Sequence, residues 1–213
     1  MPRKQSRLKR RAKSLLYVSN LFCISEGMLG PLFALFTEKI GGSVLEISIA
    51  WAIYLIVSGV LIMLLGKISD KRVKKELLLV LGYCLSTIFT FGFLFVNSPA
   101  SLFIIQIGLG TSAALITPTW DALYAKHTRR SKSGYAWGLA HGQAYILTGA
   151  AMLVGGAVVA YLSFNLLFAV MGVIQALGTV IVFSAFRNDL AVRIGSGSKI
   201  NATHSQLATD TLS

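Results

Sequence analysis

The chain has 213 residues, 54% of them hydrophobic and 13% charged, with 20 Lys and Arg against 8 Asp and Glu and a formal net charge of +12. A mean hydropathy of +0.69 excludes an ordinary soluble domain, in which about a quarter of residues are charged. The basic excess sits in short blocks beside long apolar runs, a distribution that marks membrane topology and argues against a nucleic-acid partner.

Residues 1–14 form a basic arm from Arg3 to Lys13. An apolar run over residues 15–37 follows, long enough to cross a hydrocarbon core of ~30 Å as a helix. It is too long for a signal-peptide core and has no small-residue cleavage site, so it is read as a retained span. Glu26 stands near its midpoint, where an ionised acid costs ~3 kcal/mol. At helical spacing Glu26 shares a face with Ser19, Cys23 and Gly30, a small, mildly polar stripe suited to lining a cavity. A carboxyl there can bind and release a proton or pair with a cationic substrate. The bland alternative is a neutral acid hydrogen-bonded between helices. Gly30-Pro31 predicts a kink beside it.

The second run covers residues 43–66 and the third 75–96, with Cys84 inside the third. Two cysteines in separate spans make neither a disulfide framework nor a metal cluster. The fourth run, 98–125, carries a polar stripe through Gln106, Gly110, Ala114, Thr117 and Asp121, with Pro118 available to distort it. The fifth, 133–162, holds His141, Gln143, Tyr145 and Thr148. His141 is a candidate proton carrier, against the plainer role of interhelical hydrogen bonding. Gly134, Gly138 and Gly142 recur every four residues, as do Gly172 and Ala176 in the sixth run over 164–187; small residues at this spacing admit close helix packing. Residues 188–213, rich in Ser, Thr, Gly and Asn, are expected to form a flexible polar tail.

Strict period-two alternation is absent, so the six runs predict an all-α membrane protein and not a barrel. All but one of the 20 Lys and Arg residues fall at the termini or in the loops after the second and fourth runs; only Lys39 lies on the other side. The positive-inside rule then predicts both termini in the cytoplasm, in a multi-pass protein of the cell (inner) membrane. Membrane lipid is an expected partner of the basic arm. On that side the glycosylation-like Asn201-Ala202-Thr203 has no use.

Between the second and third runs lies Gly66-Lys67-Ile68-Ser69-Asp70-Lys71-Arg72-Val73-Lys74-Lys75. It resembles the signature of the major facilitator superfamily in residue types and in place, with Val73 where that family usually has a second glycine. The resemblance implies a six-transmembrane-helix bundle like one half, the N-terminal half, of that fold. It also implies an inner gate in which Gly66, Asp70, Lys71, Arg72 and Lys74 act with an acid, here Asp121. Such a cluster holds helix ends together through charge-assisted hydrogen bonds. Other signatures of the family are weaker. Matched on Gly108 and Gly110, the fourth helix has Ile104 where proton-coupled members carry arginine. The fifth has Ala151-Met152 before Gly155-Gly156, where antiporters carry Gly-Pro.

The sequence thus predicts secondary transport of a small-molecule or ion substrate by alternating access. Glu26, Gln106 and His141 are the substrate or proton site. Since full-length members of that family have two halves, and no internal repeat is apparent here, a homodimer or a separately encoded second half is expected. The rival is a non-transporting membrane subunit, a scaffold or remnant. An enzyme is not expected, for there is no nucleophile–base pair, metal cluster or phosphate loop, and no cofactor is called for.

Overall fold

The computed structural model describes the backbone of residues 2–69, 75–128 and 133–210, and side chains over 11–65, 75–128 and 133–187. Among these residues every regular element is helical: α1 Pro2–Leu29, α2 Leu32–Lys39, α3 Val44–Ser69, α4 Lys75–Gly92, α5 Pro99–His127, α6 Ser133–Tyr161 and α7 Phe164–Asp210. Five are long and apolar enough to span a bilayer, and Arg11–Leu29 with Leu32–Lys39 makes a sixth, bent by 52°. The bend falls at Gly30-Pro31, where proline supplies no N–H to continue the helical ladder. The protein is therefore a multi-pass, all-α membrane bundle.

Local chemistry fixes the ends. Gly41 enters the left-handed region at φ +83° in the α2–α3 turn, a conformation that costs glycine little. Ser43 then begins α3, its amide donating to Glu46 Oε2 at 2.5 Å. A 3₁₀ turn at Phe93–Phe95 closes α4. Ser98 and Ser101 form a reciprocal capping box at the start of α5, with Pro99 in the first turn, where its missing N–H is harmless. α5 runs unbroken through Pro118, and Thr119 Oγ1 donates to the Ile116 carbonyl at 3.0 Å within the interrupted turn.

Two helices organise the bundle. α1 packs on α6 and α7, α5 packs on α3 and α4, and α4 meets α7. Exchanging the first three spans with the last three maps this pattern onto itself, and equivalent spans run in opposite directions. This is the inverted three-plus-three arrangement of a transporter half, which no similarity between residues had revealed. The close crossings use small residues. A Cβ on Gly110 of α5 would lie 2.8 Å from the Tyr54 carbonyl of α3, and one on Gly155 of α6 would collide with the Met28 carbonyl of α1.

The apolar core divides in two. At the end of the bundle remote from the termini, Phe36 packs edge-on to Phe168 at 4.7 Å and Phe93 stacks on Phe168 at 4.9 Å, which pins α2 to α7. At the end bearing the termini, Leu15, Tyr83, Trp120, Tyr124 and Phe186 form the second cluster.

α7 stays helical to Asp210, whereas the composition of 188–213 reads as a flexible tail, and α1 begins at Pro2, within the basic arm. Residues 188–210 contain no proline, and extending an existing helix avoids the cost of nucleation.

Gly134, Gly138 and Gly142 do not serve the packing within the bundle, because a Cβ on any of them meets nothing within 4 Å. Gly155→Val is expected to lower bundle stability by about 1–3 kcal/mol or more through overpacking against α1. Gly138→Ala should leave it unchanged. Thermal unfolding in detergent checks both, and equal effects would contradict the assignment of the α1–α6 crossing to Gly155.

Candidate functional site

Between the two apolar clusters lies a polar layer. Glu26 stands on α1 one turn before the Gly30-Pro31 break. Gln175 of α7, 2% exposed, donates from Nε2 to Glu26 Oε1 at 3.3 Å. Its own Oε1 accepts from Ser86 of α4 at 2.6 Å. Thr87 and Thr179 continue the α4–α7 contact at 2.9 Å, and Ser25 donates to the Met171 carbonyl at 3.1 Å. In hydrocarbon an unpaired amide or carboxyl has no water to turn to, so these side chains satisfy one another and tie three helices together.

Glu26 also borders a cavity of about 90 Å³, room for several waters. Its other polar groups are Gln106 of α5 and Tyr54 of α3, and aromatic rings from Phe33, Trp51 and Phe93 form much of its wall. Phe33 meets Trp51 edge-on at 5.4 Å, and Trp51 meets Tyr54 at 5.8 Å. Trp51 remains 44% exposed.

Glu26 and Gln106 are thus brought together, as the sequence suggests, and Gly30 lines the same space. His141 is not with them. It stands on the half of α6 nearer the termini, exposed, its ring stacked on Trp137 at 5.6 Å and within electrostatic reach of Asp121. The reason is helical rise: His141 follows the start of α6 by two turns, and the cavity lies deeper. Cys23, on the Glu26 stripe, turns to Ser19 and to Thr148 of α6. Gln143 accepts from Asn20 at 3.3 Å. Two of the four polar side chains predicted for this span, Gln143 and Thr148 of α6, thus meet α1.

The end bearing the termini carries a second polar group. Trp120 Nε1 donates to the Leu15 carbonyl at 3.1 Å and Tyr124 Oη to the Ala136 carbonyl at 2.9 Å, which locks α1, α5 and α6. Lys126 pairs with Glu76 across α4 and α5 at 3.6 Å. Asp121 is exposed on the neighbouring face of α5. Of the expected inner gate, Asp70, Lys71, Arg72 and Lys74 lie outside the described residues, and Gly66 is described only as backbone of α3.

Sequence reasoning missed Trp51, Tyr54, Ser86 and Gln175. Gln175 carried the signal that had found Glu26, a long polar side chain in mid-span. Trp51 and Tyr54 read as ordinary apolar content of α3. No group of three His, Cys, Asp or Glu suited to a metal occurs among the described residues.

A six-span bundle built of two inverted triplets, with an acid and an amide facing a mid-span cavity, has the form of one half of a carrier. The sequence model of the Major Facilitator Superfamily matches residues 15–207, and the chain belongs to that superfamily, at the size of one of its halves. It is a membrane transport protein by family, a class whose members are transporters rather than enzymes. No curated protein matches the chain.

Gln175→Met, which keeps the length of the side chain and removes its amide, should cost about 1–3 kcal/mol by stranding Ser86 and Glu26. Adding Ser86→Ala should cost less than the sum of the two single changes. Unfolding titrations of the four variants measure this, and strict additivity would contradict the shared network.

Proposed function

We propose that this chain carries a small solute across the cell membrane by alternating access, with the cavity at Glu26 and Gln106 as its transport site. The observation that carries the reading is Glu26 itself. It is an acid in mid-span with no ion-pair partner among the described residues, held on one oxygen by Gln175 and bordering a cavity. A purely structural acid at this depth would be expensive to retain, whereas a carrier needs a group whose partner changes during the cycle.

The end bearing the termini faces the cytoplasm in this reading, because the basic residues collect there. Asp121 would meet the Asp70–Lys74 loop as an inner gate, with His141 beside it in the gate and not in the solute site. One half cannot enclose a solute on all sides. A second copy, parallel to the first about an axis along the membrane normal, or a separate second half, completes the cavity. The open glycine stripe of α6 supports a helix seated there.

In proteoliposomes offered a mixed panel of cations, anions and sugars, uptake should fall by at least about tenfold in Glu26→Gln, the loss of one essential charge contact. Asp70→Lys and Asp121→Lys should both slow it. Wild-type uptake in Glu26→Gln would contradict the site, and wild-type rates in both charge reversals would remove the gate. A scaffold would show no solute uptake in any variant.

A further inference from the structure

We propose that the Glu26 cavity selects an organic monocation, a quaternary or protonated amine with a compact apolar body. The inference rests on the reading of this cavity as the transport site and deepens it by naming the substrate class.

The chemistry of the wall decides between classes. Four aromatic residues, Phe33, Trp51, Tyr54 and Phe93, border the space, and Glu26 is the one charged group among the described residues that does so. Lys39 lies over the ring of Phe164 at 5.2 Å and Arg11 over that of Phe186 at 5.6 Å, and neither cation is among the residues that border the cavity. An anion would therefore meet a carboxylate with no compensating cation. A sugar would need many donors and acceptors, and the wall that this half supplies offers, among the described residues, the side chains of Glu26, Tyr54 and Gln106 and the indole N–H of Trp51. A divalent metal ion asks for six or more oxygen ligands, of which the described wall of this half supplies side-chain oxygens from Glu26, Tyr54 and Gln106 alone.

An organic monocation matches all of these features together. Its charge is balanced by Glu26, its methyl or methylene groups lie against ring faces whose quadrupole attracts positive charge, and a hydroxyl or ammonium N–H can bond to the Gln106 amide. The linked edge-to-face contacts of Phe33, Trp51 and Tyr54 preorganise three of the rings.

Choline and its neutral isostere 3,3-dimethylbutan-1-ol separate charge recognition from shape. Calorimetric titration of the full chain in nanodiscs of zwitterionic lipid, against empty nanodiscs, should show saturable choline binding and isostere binding at least about tenfold weaker. Glu26→Gln, which can still accept from Gln175, should remove that preference. Trp51→Leu should weaken choline binding and Trp51→Phe should retain it. No choline binding, equal affinity for the two ligands, or a preference that survives Glu26→Gln would overturn the proposal. Uptake of a neutral or anionic solute that depends on Glu26, without choline binding, would sink the cation assignment and spare the transport reading. Choline binding without Glu26-dependent uptake of any solute would sink the transport reading and leave the selectivity of the cavity standing.

Discussion

Inside hydrocarbon a polar side chain must find its partner in the protein, and the hydrogen-bonded run Ser86–Gln175–Glu26 is where this chain meets that constraint at mid-membrane. Helices α1, α4 and α7 are joined there by side-chain amide, hydroxyl and carboxyl, with an aromatic cluster on either side. The two clusters fix the ends of the bundle, and the polar layer fixes the depth at which α1 can break. Because the Gly30-Pro31 bend follows Glu26 by one turn, the same stretch both anchors α1 and opens the cavity. Structure and proposed function thus depend on one short segment.

Association of apolar helices in lipid gains little from the hydrophobic effect, since lipid tails are as apolar as leucine. Close approach has to come from small residues, and these are placed unevenly. Gly155 and Gly27 bring α6 against α1, and Gly110 brings α5 against α3, while the Gly134–Gly138–Gly142 stripe faces open space. Packing within the bundle therefore uses only some of its glycines, although all look alike in sequence.

Much of the fold was legible because bilayer thickness, the charge bias of the loops and the break at Gly30-Pro31 are one-dimensional signals. Glu26 and Gln106 were legible for the same reason: a polar side chain in mid-span is conspicuous. The pairing of α1 with α6 and α5 with α3, and hence the inverted triplets, was not, since it depends on which small residue meets which backbone. His141 was grouped with Glu26 because composition records that a residue is polar but not at what depth or toward which neighbour it stands. Trp51 and Tyr54 passed unnoticed for the opposite reason, being apolar enough to look like lipid-facing surface.

In the proposed function this half-size bundle works only when a second half closes its cavity. The most direct test is the mass of the purified chain in a mild detergent or nanodisc. Where the second half is a second copy of the chain, the account predicts a particle with the mass of two chains, twice 23.0 kDa after subtraction of lipid and detergent. A stable single chain that still takes up solute in a Glu26-dependent manner would contradict it.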